Sequence, residues 1–264
     1  MKISIVTATY NSGATVRDTM ESVLRQTYTQ IEHIIVDGGS SDNTMEIVRE
    51  LEPLYGGRLR YVSEPDRGIY DAMNKGIAMA TGDVIGILNS DDFFSADNIV
   101  ATLAAELADA ETDAVYGDVH YVDSADLTKC VRYYSSRTFR PWMMKLGFQP
   151  AHPSFYCRKT VYDRHGCFDL NFRVAADFEH LLRLLYIHRI RARYIPLDCV
   201  TMRTGGASTS GVKSHIRILS DHLRAYRKNG VNSNLFLDIS RYAYKAGEVL
   251  NSKVRNLPSL LRVE

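Results

Sequence analysis

Apolar and polar residues alternate in blocks along the first ninety positions of the chain. Residues 3–9 form an apolar run with interspersed Ser and Thr, closed by Asn11-Ser12-Gly13. Apolar residues then fall at helical spacing (Val16, Met20, Val23, Leu24), with Ser12 placed to cap that helix. The cycle repeats. Residues 31–37 read as a strand ended by Gly38-Gly39-Ser40-Ser41, and Asp42 caps a helix to about Leu51. A strand at 59–63 precedes a helix at 69–80, and Gly82-Asp83 turns into a strand at 84–88. Four such alternations predict a parallel sheet with helices on both faces, an α/β fold. Beyond Asp92 the order loosens. A helix is expected at 97–107, short strands at 114–116, 120–122, 131–134 and 154–157, a helix at 176–187, and strands at 193–195 and 199–202. The central sheet is therefore expected to be mixed and mostly parallel. Two basic amphipathic helices, 212–228 and 235–250, form a C-terminal helical appendage, and Gly205 to Gly211 marks the boundary before it.

Composition changes this picture little. The 264 residues carry 32 Lys and Arg against 31 Asp and Glu, a balance that argues against a dedicated nucleic-acid binder. The charge is unevenly spread, however: residues 212–264 hold ten basic and four acidic side chains. A basic tail on an acidic body suggests an anionic partner such as a membrane surface. The four cysteines (Cys130, Cys157, Cys167, Cys199) show no CxxC pairing and read as reduced, buried thiols. No stretch is apolar for long enough to span a bilayer, and the opening apolar run is too short for a signal peptide, so a cytoplasmic protein is expected.

In parallel sheets ligands bind beyond the carboxyl ends of the strands, so the residues after each apolar run carry the chemistry. Asp91-Asp92 follows a buried strand. Adjacent carboxylates repel unless a cation joins them, and hard oxygen ligands suit Mg²⁺ or Mn²⁺. A solvated loop whose aspartate caps the next helix is the bland alternative. Asp37 opens a Gly-Gly-Ser-Ser turn and reads either as a turn former or as an acceptor for a base or ribose. Tyr10 reads as packing or as a stacking platform. No P-loop and no GxGxxG is present, so the phosphates of any nucleotide must be neutralised by a metal and basic side chains. Asp177 is either a first-turn acid of its helix or a general base. His152, between Pro150 and Pro153, is either a substrate contact or a structural histidine.

Taken together, these blocks resemble family 2 glycosyltransferases, of GT-A fold and inverting type. The matches run in order: Thr9-Tyr10-Asn11; Ile34 to Thr44; Ser63 to Gly76; Thr81-Gly82-Asp83; Asn89-Ser90-Asp91-Asp92; Gly166-Cys167-Phe168-Asp169 followed by Ala176-Asp177. The subgroup resembles bacterial enzymes that build surface polysaccharide on a lipid carrier. The resemblance implies a domain over residues 1–205, with a nucleotide-binding half at about 1–95 and an acceptor-binding half at about 96–205, then the extension 206–264. It implies that Thr7, Ala8, Tyr10 and Asp37 hold the nucleoside, with Asp66, Arg67 and Asp91 also on the donor side. It implies that Asp91 and Asp92 bind the metal and diphosphate and that Asp177 is the catalytic base. Glu179 is the fallback base, and His152 and Glu179 are further substrate candidates. Asn89 and Ala176 stand where the family often has acids. The expected partners are a nucleotide-sugar donor, UDP-linked by default from the resemblance, and a saccharide or lipid-linked acceptor; peripheral membrane contact through 212–264 and a homo-oligomer are further expectations. The other readings are a nucleotidyltransferase and an inactive sugar-nucleotide-binding module.

Overall fold

A computed structural model describes residues 1–205 and 211–238. Its nine strands, among the described residues, form one sheet in the order β3-β2-β1-β4-β8-β6-β9-β5, with β7 paired to β6. They are β1 (Ile3–Thr9), β2 (Ile31–Asp37), β3 (Leu59–Ser63), β4 (Val84–Ile87), β5 (Phe93–Phe94), β6 (Ala114–Asp123), β7 (Asp126–Tyr134), β8 (Tyr156–Arg158) and β9 (Ala192–Arg203). The first four pair in parallel. β8 then runs antiparallel between β4 and β6, β9 is parallel to β6, and β5 is antiparallel to β9. The sheet is mixed, as the spacing predicts.

Side-chain alternation along β1 sorts the core into two layers. Ile3 and Ile5 pack with α1 (Val16–Leu24), α2 (Thr44–Leu51) and α4 (Ile99–Glu106). Val6 and Ala8 pack with α3 (Ile69–Met79), α5 (Lys159–His165), α6 (Ala176–Leu181) and α7 (Gly211–Lys228). Every residue of β1 and β2 is buried, as strands covered on both faces must be. After Leu181 the α6 helix loosens into a π-helical stretch over Leu182–Ile187.

Several expectations need correction. The strands expected at 114–116 and 120–122 are one strand, β6, bent by register shifts between Tyr116 and Val119; those at 193–195 and 199–202 are likewise one strand, β9. Ser12 does not cap α1 with its side chain. Its carbonyl accepts the Thr15 and Val16 N–H groups, and its hydroxyl pairs with Ser90 at 2.8 Å. Cys157 and Cys199 are buried, but Cys130 is exposed. The helix expected at 235–250 falls largely outside the described residues; 235–238 are helical.

Helix α7 docks on the sheet's second layer. Ala225 and Tyr226 are buried there, and His222 stacks on Phe178 with ring centroids 3.6 Å apart. Among the described residues no helix is long and apolar enough to cross a membrane.

At the amino ends of the strands, Glu32 is buried and accepts from Lys2 (2.7 Å), Ser4 Oγ (2.5 Å) and Thr81 N and Oγ1 (2.6 and 2.7 Å). Burial pushes this carboxyl up, but the Lys2, Ser4 and Thr81 donors together hold it low, at about 2. The fold therefore binds the ionised form. Its stabilisation is complete above the unfolded carboxyl value of roughly 4.3 and is lost as pH falls through that value toward about 2. Thermal melts between these limits should show the wild type losing more stability than Glu32→Gln; parallel losses would refute the assignment.

Candidate active site

The parallel register sets three residues side by side at the carboxyl edge: Thr9 opposite Asp37, and Asp37 opposite Ser63. Asp37 is fully buried. Its Oδ2 accepts from Gly39 N (3.2 Å), Ser40 N (3.0 Å) and Ser63 Oγ (2.6 Å), and its Oδ1 from Ser40 Oγ (2.5 Å). In this geometry the carboxylate orders the Gly38–Ser41 turn. Ser40 Oγ in turn accepts the Asn11 N–H, and Asn11 Oδ1 accepts from Ser41 N, which holds Asn11 at φ 49°. The loops after β1 and β2 are thereby latched together. Tyr10 projects from this latch, 65% exposed.

A Cβ on Gly38 would stand 2.6 Å from Asp66 Oδ2 and 3.4 Å from the Tyr10 ring, so glycine is what lets these two side chains lie over the turn. Asp66 is held by Gly68 N (2.7 Å). Arg67 pairs with Asp71 at 3.2 Å and its own side chain is largely exposed. The Thr7 hydroxyl is turned inward to His33 Nε2 (3.0 Å), whose other nitrogen meets Tyr55 Oη (2.7 Å). Burial lowers the His33 ring to about 3, so it is neutral in this chain. Thr7 thus serves the core with its side chain, while Ala8 faces the α3 layer.

Beyond β4, Asp92 is buried and its carboxylate accepts from Asn89 Nδ2 at 2.8 Å. Burial first, then the charge of Asp91, pushes the Asp92 carboxyl well above its ordinary value; Asn89 and Arg203 oppose this in part. Arg203, at the end of β9, donates to the Asp91 carbonyl (2.6 Å), pairs with Asp18 and lies 5.1 Å over the Phe93 ring. Thr19 Oγ1 holds the Asp92 carbonyl at 2.7 Å. Asn89 Oδ1 is buried with no partner. Among the described residues no cluster of three or more His, Cys, Asp and Glu side chains could enclose a metal. The chain offers Asp91, Asp92 and the orphaned Asn89 oxygen, a hard-oxygen set with room left for phosphate oxygens and water. These residues fit a Mg²⁺- or Mn²⁺-type ion, which retains open positions for its substrate.

Asp177 is the second residue of α6, and it does not cap the helix. Its Oδ1 accepts from Tyr70 Oη (3.1 Å) and its Oδ2 from Gln149 Nε2 (2.9 Å), donors that arrive from two other segments. Tyr70 Oη is also 2.7 Å from the Val174 carbonyl. Burial, and then the Asp177 charge, raise the Tyr70 hydroxyl well above its ordinary value, so it stays a donor. The Gln149 Oε1 is buried without a partner.

Two side chains link the acidic groups. The His152 ring is lowered by burial, while the charges of Asp177 and Asp91 act on it in the opposite sense. The Tyr121 hydroxyl is raised by burial, with Asp92 and Asp177 adding to the effect. The charges of Asp91 and Asp177 thus both reach His152, and those of Asp92 and Asp177 both reach Tyr121. Glu179 is differently occupied. It is fully buried, its oxygens taken by Lys228 (2.9 Å), Arg183 (3.2 Å) and Asn229 (3.2 Å), so it is a structural anchor here rather than an open base. Tyr70, Tyr121, Gln149 and Arg203 were not distinguishable as site residues by sequence reasoning. The local signals for two of them are Tyr70 inside the Gly68–Gly76 block and Gln149 directly before Pro150, three residues ahead of His152.

The fold is that of GT-A glycosyltransferases. The family model for glycosyl transferase family 2 matches residues 4–175, and the chain belongs to that family; it is a glycosyltransferase. It is 30% identical over 193 residues, 73% of each chain, to the PGL/p-HBAD biosynthesis glycosyltransferase of Mycobacterium bovis. Among solved structures it is similar to S. aureus TarS in complex with UDP-GlcNAc (TM-score 0.68, 17% identity, 85% of this chain and 66% of that one). It is also similar to the mannosyltransferase PcManGT of Pyrobaculum calidifontis in complex with GDP-Man and Mn²⁺ (TM-score 0.67, 18% identity, 97% and 76% covered). The chain thus spans just under two thirds of that TarS chain.

Gly38→Ala should push Asp66 off the Gly68 amide. The expected result is a rise of about fivefold in KM for the nucleotide-sugar donor, the worth of one hydrogen bond, with kcat and Tm little changed. An unaltered KM would show that Asp66 does not serve the donor.

Proposed function

We propose that this chain moves a sugar from a nucleoside-diphosphate donor, UDP-linked by default, to a hydroxyl of a saccharide or lipid-linked acceptor, by a single displacement that inverts the anomeric centre. The reading rests on the Asp91-Asp92 pair after β4 and the doubly held Asp177, whose charges act on the same two side chains, His152 and Tyr121. Tyr10, Asp66 and the Gly38–Ser41 turn ordered by Asp37 form the nucleoside platform, with Thr7 and Ala8 in the strand beneath it and Arg67 at its rim. Asp91 and Asp92 would hold a divalent cation, which when bound supplies charge for the departing diphosphate. Asp177 removes the proton from the attacking hydroxyl. Tyr70 and Gln149 fix its carboxylate by donating to one oxygen each, leaving the remaining lone pairs for the acceptor. His152 and Tyr121, which feel the charge of both acidic groups, are further candidate substrate contacts.

The test is release of nucleoside diphosphate from a panel of nucleotide sugars with Mn²⁺ and a saccharide acceptor. Asp177→Asn should lower kcat by roughly 10²- to 10⁴-fold while donor binding, read by thermal shift, is kept. Asp91→Ala with Asp92→Ala should abolish the divalent-ion dependence together with turnover. Full turnover in either variant would overturn the reading, and pyrophosphate release from a nucleoside triphosphate would point to a nucleotidyltransferase instead.

A lipid-linked acceptor would place the enzyme at the anionic inner face of a membrane, and the surface beside the site supports this. Phe236 is 83% exposed and Trp142 58%, and Ser233 Oγ ties their two segments together through the Lys145 carbonyl at 2.5 Å. Arg140 and Lys145 flank Trp142 in sequence. Aromatic and basic side chains in this arrangement suit an anionic bilayer surface. Co-sedimentation with vesicles rich in anionic lipid should fall in the Trp142→Ala, Phe236→Ala double variant; equal pelleting would remove the membrane from the proposal.

A further inference from the structure

Helix α7 was expected as an appendage, yet it grips the segment that presents Asp177. Lys228 pairs with Asp169 (2.7 Å) and Glu179 (2.9 Å). Arg224 donates to the Asn171 carbonyl (3.2 Å), and the Phe172 ring lies under both Arg224 (5.0 Å) and Lys228 (5.6 Å). Tyr226 Oη donates to the Met144 carbonyl (2.9 Å), at the start of the loop that supplies Gln149. One helix therefore fastens the two segments whose side chains meet at the base.

Asp221 is the anchor nearest the chemistry. It is 7% exposed, and its Oδ2 accepts the backbone N–H groups of Val174 (3.2 Å) and Ala175 (3.3 Å). Its other oxygen is paired with Arg224 at 3.2 Å. Val174 is the residue whose carbonyl receives the Tyr70 hydroxyl, the same hydroxyl that meets Asp177. A path of direct contacts thus runs from Asp221 through the Val174 peptide to Tyr70 and on to Asp177. Lys228 and Arg224 act farther along the segment and touch neither Val174 nor Tyr70 in this geometry.

We propose that Asp221 is a positioning residue for Asp177: by holding the Val174 and Ala175 amides it sets where the base and its Tyr70 donor meet. The proposal rests on the reading of Asp177 as the general base. It makes α7 part of the acceptor-side machinery although the helix contributes no group to the reacting atoms. The reason for expecting a measurable effect is geometric, since a shift of about 1 Å at a catalytic group can cost on the order of 10²-fold in rate.

The experiment uses the full chain and the variants Asp221→Ala, Asp221→Asn and Lys228→Ala. Asparagine keeps an accepting oxygen at the same place without the charge. Hydrogen–deuterium exchange of peptides covering residues 170–178 and steady-state transfer kinetics are measured for each. Asp221→Ala should speed exchange in that segment and lower kcat about tenfold with donor KM within about twofold, and Asp221→Asn should recover most of both. Lys228→Ala should change Tm more than kcat. Unchanged exchange in Asp221→Ala, or a kcat equal to wild type, would overturn the proposal, as would an equal kcat loss in Lys228→Ala tracking Tm alone. A kcat unchanged in Asp177→Asn, measured alongside, would instead refute Asp177 as base while leaving the exchange result to judge Asp221.

Discussion

A carboxyl group sealed from water beside a second acidic side chain is the constraint around which this molecule is arranged. Asp92 sits in that position, with Asp91 next to it and Asn89 donating to one of its oxygens. Removing a charge from water without a partner is expensive, so such a group either takes up a proton or waits for a cation. The surrounding chain is built to keep it where it is. Thr19 holds the Asp92 carbonyl from α1, Arg203 holds the Asp91 carbonyl from β9, and Ser12 reaches Ser90 from the first loop. Three elements distant in sequence thus pin one short loop, two of them by its backbone carbonyls and one through the Ser90 hydroxyl. None of these three contacts occupies a carboxylate oxygen of Asp91 or Asp92, as a ligand-receiving loop requires.

The opposite wall is assembled on a different plan. One side is made from strand ends in register, so Thr9, Asp37 and Ser63 line up by sheet geometry alone. The other is made from loops and helix starts, and Asp177 owes its place to donors 107 and 28 residues away. Strand ends give a rigid floor. Loops held by a few hydrogen bonds give a wall whose shape is set by many separate residues, which under the proposed function suits acceptor selection.

How much of this was legible follows from the same contrast. Strands buried on both faces read as apolar runs, so β1 to β4 and the parallel sheet were visible in the sequence, and with them the strand-end residues Tyr10, Asp37, Asp91 and Asp92. β6 and β9 read as broken because Gly117-Asp118 and Pro196 to Asp198 interrupt their apolar pattern, although the backbone continues through bulges. β5 is two residues long, and α5 buries only Val161 and Tyr162, too little periodicity to register. Asp177 was visible as a candidate, but its two donors were not, because their meeting depends on tertiary distance and not on spacing. Glu179 misled for the converse reason: an acid two residues from Asp177 looks available until its cationic partners are seen.

The placement of β8 has a consequence for how such enzymes can diversify. A late strand of only three residues is inserted between β4 and β6, and the Tyr156 ring fills the space a side chain on Gly86 would need. The earlier and later halves of the chain therefore share a seam in one sheet rather than abut. Recombination that exchanged one half between cousins would inherit a mismatched seam, so new specificities are more readily gained by altering loops than by shuffling modules.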